Sequence, residues 1–527
     1  MLFDNHNQCL VSDIPESEWS SLQEYTARVV EFRNDPTTHT DAEGSTGPTA
    51  TIGEATLFYI GQLQGATQFL FPNLRRLHIT QTTYDSFPYL TLFCSTSLER
   101  IELSGISGST SGTKMPIALF LKKVGTSHNL AELILDSICL PAEVFTAIIT
   151  CKQLKHLRMR NVSSMSGRIS QLELQGLFKL PLLKTLEMDL KGVQYSSDDV
   201  SRNDFWRPKE DTDVVQHAHQ CLESFRFTGD FRILYHLADN LISANPKSIH
   251  IDLPNFKNES IYEAAPISTK KKNNSMSMKK STKKMRESQT KTINPIEVFI
   301  ENMATNLSGA LHALTISIPN SVDMRTSEGI FFGLYNLDNI THLDIVGIPF
   351  SPQDDAPFWD LSNPPWPRIR FLRFAVRSEA TALPFSTLNH IAKSYPYLES
   401  FEALINLPDP SEIPKNRACS PFDPDAEDNY AFDFDSLETL PTSTSLTRLS
   451  IGTPQSWQEH DLRMADYLFA YIYLMFPNLS RIETHYSFRE VLWKQVDKFL
   501  QMYHQIVAIE QRRKSKTSIG AADAPHE

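Results

Sequence analysis

Leu311-His312-Ala313-Leu314-Thr315-Ile316 opens the series that decides how this chain folds. The pattern is apolar-x-x-apolar-x-apolar. It returns at Ile340/Leu343/Ile345, Ile369/Leu372/Phe374 and Leu398/Phe401/Ala403, each time 29 residues further on. Its last three positions alternate apolar and polar, which is the two-residue period of a strand with one buried face. Copies also stand towards the N-terminus: Leu74/Leu77/Ile79, Leu98/Ile101/Leu103, Leu130/Leu133/Leu135, Leu154/Leu157/Met159, Leu183/Leu186/Met188 and Leu222/Phe225/Phe227. Leu446/Leu449/Ile451 is another clear copy, while Leu479/Ile482/Thr484 and a unit near Ile251/Leu253 are weaker. One such match means nothing; more than ten at spacings of 24 to 48 residues mean a repeat array with loop insertions.

Helical spacing of apolar residues fills the intervals, at Pro116–Val124, Ala142–Cys151, Arg232–Ser243, Pro295–Leu307, Phe385–Ser394 and Leu462–Met475. Strands alternating with helices give a parallel sheet. The expected fold is therefore α/β, an irregular leucine-rich-repeat solenoid: a horseshoe with a concave parallel sheet and outer helices. Leu77 and Ile79 should point into its core, and Arg76, His78 and Thr80 away from it. No repeat buries its apolar face alone, so each leans on its neighbours.

The expected organisation is an N-terminal helix and loop (1–50) and a first repeat block (51–256). A basic disordered insertion (257–292) separates it from a second block (293–511), which carries an acidic loop (408–436). A frayed tail (512–527) follows. Residues 36–50 read as loop from their Thr, Gly and Pro content.

The 527-residue chain carries a net charge of −12, although eight Lys/Arg and no acid lie in 270–286. The body is thus more acidic still, and a nucleic-acid partner is not expected, because phosphate binding needs clustered cations. The six cysteines form no Cys-x-x-Cys pair, which suits a reducing compartment, cytoplasm or nucleus. The N-terminus has no basic and apolar leader, and Leu57–Leu74 is too interrupted to span a bilayer.

Glu18-Trp19 with Tyr25-Thr26-Ala27-Arg28-Val29, then Leu70-Phe71-Pro72-Asn73-Leu74-Arg75-Arg76-Leu77, then Leu92-Phe93 ahead of Ser97-Leu98-Glu99, carry a resemblance. Over residues 14–103 the chain resembles fungal F-box/leucine-rich-repeat-type proteins; beyond that it matches by repeat style alone. The resemblance implies an F-box docked on the adaptor of a cullin-RING ubiquitin ligase and repeats that hold a protein substrate. No F-box-like run precedes Trp19, and the chain is expected to begin just after the place of one, so the adaptor is a partner only if the box lies upstream. The alternative is a free-standing leucine-rich-repeat scaffold, in the nucleus or elsewhere, with no ligase role. The regular asparagine ladder of such repeats is not visible.

Candidate chemistry is sparse. His217-Ala218-His219-Gln220-Cys221 offers three metal ligands but no fourth. Gly105 to Gly112 lacks the spacing of a nucleophile elbow. Asp423 to Asn429 lacks the glycine and final glutamate of a calcium loop. No phosphate-cradling glycine motif occurs. Neither catalysis, a cofactor nor a metal is expected. Lys270, Lys271, Lys272, Lys279, Lys280, Lys283, Lys284 and Arg286 form two basic clusters, which read as a nuclear-import signal or as a charged solvated loop. Partner binding is expected on the outward strand positions of the concave face: Arg76, His78, Arg100, Glu102, Asp136, Arg158, Arg160, Glu187 and Arg226, with Asp344 and Arg373 later. Mixed charge there suits an electrostatically patterned protein.

Overall fold

The computed structural model describes residues 16–34, 69–80, 90–105, 116–125, 129–140, 142–164, 168–169, 171–191, 193–195, 222–256, 295–319, 331, 333–348, 358, 364–375, 382–407, 440–452, 464–484 and 490–522. It forms two compact units, 1–255 with 310–318 and 256–309 with 319–527.

The main sheet of the first unit holds nine strands among the described residues: β1 (Glu31–Asn34), β2 (Arg76–Thr80), β3 (Arg100–Ser104), β4 (Glu132–Asp136), β5 (His156–Arg160), β6 (Thr185–Asp189), β7 (Ser224–Thr228), β8 (Ser248–Asp252) and β9 (Ala313–Ser317). They pair in chain order, every pair parallel. Its helices are α1 (Glu16–Thr26), α2 (Pro116–Gly125), α3 (Ala142–Thr150), α4 (Gln171–Leu177) and α5 (Phe231–Ala244), of which α2 to α5 pack in succession. The second unit holds α6 (Pro295–Leu307), α7 (Ser386–Ser394), α8 (Met464–Met475) and α9 (Glu490–Ala522). Its strands β10 (His342–Val346), β11 (Phe371–Ala375), β12 (Ser400–Leu404), β13 (Arg448–Gly452) and β14 (Arg481–Thr484) are again parallel in chain order.

The strand period places the core. Leu77 and Ile79 in β2, Ile101 and Leu103 in β3 and Leu157 and Met159 in β5 are buried, while residues between them face out. Helices close the other side of this layer with Val144, Phe145, Ala147 and Ile148 of α3 and Ile233, Leu234, Leu237 and Leu241 of α5. At each strand entry one carbonyl accepts two N–H groups of the next repeat: Val30 from Arg75 and Arg76, Arg75 from Glu99 and Arg100, Glu99 from Ala131 and Glu132. At several strand exits the next residue is left-handed, as at Gly105 (φ 80°) and Gly347 (φ 81°), where a side chain would be strained.

The structure departs from the sequence reading at three places. The sheet starts at β1, inside the expected N-terminal helix and loop. Val29 and Phe32 stand where other repeats carry leucine, and Asn34 pairs in register with Ile79, so a leucine search passes over it, yet Phe32 packs 4.5 Å from Phe93 and 6.1 Å from Phe71 between ring centroids. The weak unit near Ile251/Leu253 is framed two residues earlier, with Pro246 as its first apolar position and Ile249 and Ile251 inward. Helix α9 runs on to Ala522 through the expected frayed tail, because Gln511 to Ile519 contains neither Gly nor Pro. Four isolated asparagines, in repeats that are not neighbours, each tie a repeat to the one before it. Asn73, Asn129, Asn339 and Asn478 each precede the first apolar residue of a repeat. Their side-chain N–H groups donate to the carbonyls of Ala27, Thr96, Gly309 and Thr444 at 2.7, 2.6, 3.0 and 2.7 Å. Each acceptor stands two residues ahead of the first apolar position of the repeat before. Asn129→Asp keeps the size and loses the donor; it should cost about 0.5–1.5 kcal/mol, measured by urea denaturation.

Residues 36–50, the basic segment 257–292 with its lysines, the acidic loop 408–436 and the candidate ligands His217 to Cys221 lie outside the described residues. So do Ile106 to Gly112 of the glycine-rich stretch.

The last strand meets side chains of α9. Asp497 Oδ1 accepts from the Ile482 N–H at 2.8 Å, Gln501 Nε2 donates to the Ser480 carbonyl at 2.6 Å, and His504 Nε2 lies 2.7 Å from the Leu479 carbonyl. These positions share one helical face, and they occupy backbone groups that an edge strand would otherwise offer to another chain.

Candidate functional site

Nine of the residues expected to bind a partner, Arg76 to Arg226, lie in the first unit on the sheet face away from the helices, and Asp344 and Arg373 lie in the second. Strand register sets them in three rows. The first row runs Glu31, Arg76, Arg100, Glu132, His156, Thr185, Ser224 and Ser248. The middle row runs Arg33, His78, Glu102, Ile134, Arg158, Glu187, Arg226 and His250. The third holds Thr80, Ser104, Asp136 and Arg160, then Asp189, Thr228 and Asp252 beyond them.

Most charges on this face are engaged with one another. Arg76 reaches Glu31 at 3.3 Å. Arg100 reaches Glu102 at 3.1 Å and Glu132 at 3.3 Å, and Arg158 approaches Glu132 at 3.8 Å. Arg160 grips Glu187 with both prongs, each at 3.3 Å, and this raises its already high pKa. These side chains are partly exposed, so each pair adds at most about 1 kcal/mol to stability. Arg226 is different: it is exposed, and among the described residues it has no carboxylate partner. His250 stands next to it in register. Burial and then the Arg226 cation push the imidazole below its usual pKa, against the opposing pull of Asp252 and Glu187.

The fold of each unit is the leucine-rich-repeat solenoid. No protein-family model matches the chain, and no curated protein matches it. Among solved structures, the complex of Rad7 and Elc1 in yeast is similar over 79% of this chain and 76% of that one, at 13% identity and a TM-score of 0.35. A leucine-rich-repeat protein of Leptospira interrogans is similar over 90% of this chain and all of its own (100%), at 13% identity and a TM-score of 0.33. An internalin of Listeria monocytogenes is similar over 59% and 68%, at 14% identity and a TM-score of 0.24.

Sequence reading missed several members of the solenoid face. Glu132 joins Arg100 to Arg158, and its position matches those of Arg76 and Arg100 in their repeats, so aligning the repeats finds it. His250 was missed because its repeat was framed two residues late. Ile134 faces outward yet is only 3% exposed, in register between Glu102 and Arg158. In the second unit, Arg373 lies between Asp344 at 3.6 Å and Glu402 at 2.9 Å. Burial raises the pKa of Asp344; Arg373 opposes this and Glu402 adds to it. Among the described residues, Cys94, Cys139 and Cys151 are free thiols, and burial pushes those of Cys94 and Cys151 up to about 11, well away from nucleophilic reactivity at neutral pH. Among the described residues no three His, Cys, Asp or Glu side chains gather to hold a metal.

Proposed function

We propose that this chain is a protein-recognition solenoid, with the charged sheet face of the first unit as its binding surface. The observation that carries the reading is the register: eight parallel strands, β1 to β8, bring Arg, Glu, Asp and His side chains from distant stretches into adjacent rows on one face. An array of this kind discriminates partners by charge pattern, since a mismatched partner must leave these groups desolvated against like charge. The finer reading, supported by the resemblance over residues 14–103, is a substrate receptor like those of cullin-RING ubiquitin ligases. The basic clusters at Lys270–Lys272 and Lys279–Arg286 support a nuclear location.

The test is affinity purification of the tagged chain and of an Arg100→Glu/Arg158→Glu variant. Proteins captured by the first and lost from the folded second support the face as the binding surface. Equal capture by both overturns it. Ligase adaptor and cullin among the captured proteins support the receptor reading; a reproducible partner without them favours the free-standing scaffold.

A further inference from the structure

We propose that Arg226 is the anchor of the face, and that a partner seats an acidic side chain on it. This rests on the sheet face being the protein-binding surface and names the point on it that binding uses first. Along β1 to β6 each face arginine already holds a carboxylate: Arg33 and Arg76 hold Glu31, Arg100 holds Glu102 and Glu132, Arg158 holds Glu132, and Arg160 holds Glu187. A partner carboxylate arriving there must displace one in place. Glu187, which faces Arg226 across the ladder, has both oxygens on Arg160. The Arg226 fork therefore gives up only water when it binds.

The surroundings favour the same point. Up to β6 the first and middle rows carry mostly charged side chains. Arg226 has Glu187 and His250 as its neighbours in register, and the positions that flank it on the face are short, Ser224 and Thr228 on its own strand and Ser248 on the next. A side chain descending onto Arg226 meets the half-buried Ser224 and Ser248 hydroxyls, which can hydrogen-bond a carboxylate oxygen. His250 beside Arg226 can share the load as a second donor. Residues that dominate interfaces are commonly arginines set among smaller contributors. The occupant is an acidic protein segment rather than a cationic one, because the exposed charge at the point is the guanidinium.

The experiment uses the full chain, a Glu octapeptide as probe, a Lys octapeptide and inorganic phosphate as controls, and low salt. Binding is followed by calorimetry and by the NMR titration of the His250 imidazole. The Glu peptide should bind and raise the His250 pKa, because a carboxylate on Arg226 neutralises the cation that depresses it. Arg226→Gln should weaken the peptide at least tenfold; its His250 pKa should already be raised and should not respond further. Arg370→Gln, which removes a guanidinium paired with Glu399 in the second unit and away from this face, should change affinity less than twofold. Equal binding by Arg226→Gln, or equal binding of the Lys peptide, overturns the proposal. An equal His250 response to phosphate alone overturns it too, since the site would then take small oxyanions. If capture in the purification above depends on Arg100 and Arg158 while Arg226→Gln leaves the peptide unaffected, the face binds protein and only the anchor is wrong.

Discussion

Leu157→Ala should destabilise the first unit by about 2–5 kcal/mol, measured as the shift of its urea unfolding transition by circular dichroism. Leu157 is 0% exposed, and it stands in register between Leu133 and Leu186, at the heart of the apolar layer beneath β4, β5 and β6. Truncation removes apolar contact with both neighbours and leaves a cavity that a stacked repeat cannot close, since each strand is held by the one before and after it. The next residue in the strand supplies the contrast. Arg158 faces the other way and approaches Glu132 at 3.8 Å, so Arg158→Ala should cost about 1 kcal/mol or less. A loss at 158 equal to that at 157 would mean that the strand does not divide the two faces as described. Leu157→Met, close in volume, should cost less than about 1.5 kcal/mol.

That contrast also explains which parts of the fold could be read from the sequence. The strand signal is periodic and local: Leu77 and Ile79 inward with His78 between them needs five residues and one rule. Repeats whose inward positions hold Leu, Ile or Met were therefore found in frame. The signal fails where another residue does leucine's job. Phe32 pairs in register with Leu77 and Asn34 with Ile79, and Pro246 takes a leucine place after the left-handed Asn245 (φ 49°) that ends α5. The four asparagine clasps between repeats are not legible for a related reason. They sit before the repeat's first leucine, and what gives them meaning is a carbonyl about 30 to 46 residues away, which only register reveals.

The binding face was half legible. Alternation gave the direction of Arg76, Arg100, Arg158, Glu187 and Arg226, because direction follows from strand period alone. Pairing between them did not follow. Whether Glu187 belongs to Arg160 or to Arg226 depends on side-chain reach across strands, and that choice is what separates a satisfied ladder from an available guanidinium.

In the second unit Trp366→Ala should cost about 3–5 kcal/mol by the same measurement. Trp366 is 0% exposed; its ring lies 5.4 Å from that of Tyr335 and 6.4 Å from that of Phe374, and its Nε1 donates to the Leu334 carbonyl at 2.8 Å. Trp366→Phe keeps much of the apolar contact but strands that buried carbonyl, for about 1–3 kcal/mol. The backbone gives a sharper test. Trp366 is left-handed, with φ at 56°, although Pro367 follows it and a residue before proline favours the extended region. Side chains other than glycine resist this conformation, which costs on the order of 1–3 kcal/mol, so the indole's packing and hydrogen bond must outweigh that strain. Glycine carries no such penalty. Trp366→Gly should therefore be no less stable than Trp366→Ala, the reverse of the usual order in which glycine is worse by about 0.5–1 kcal/mol. If glycine proves the more damaging of the two, residue 366 does not hold the left-handed turn, and the account of why a tryptophan stands between two prolines fails with it.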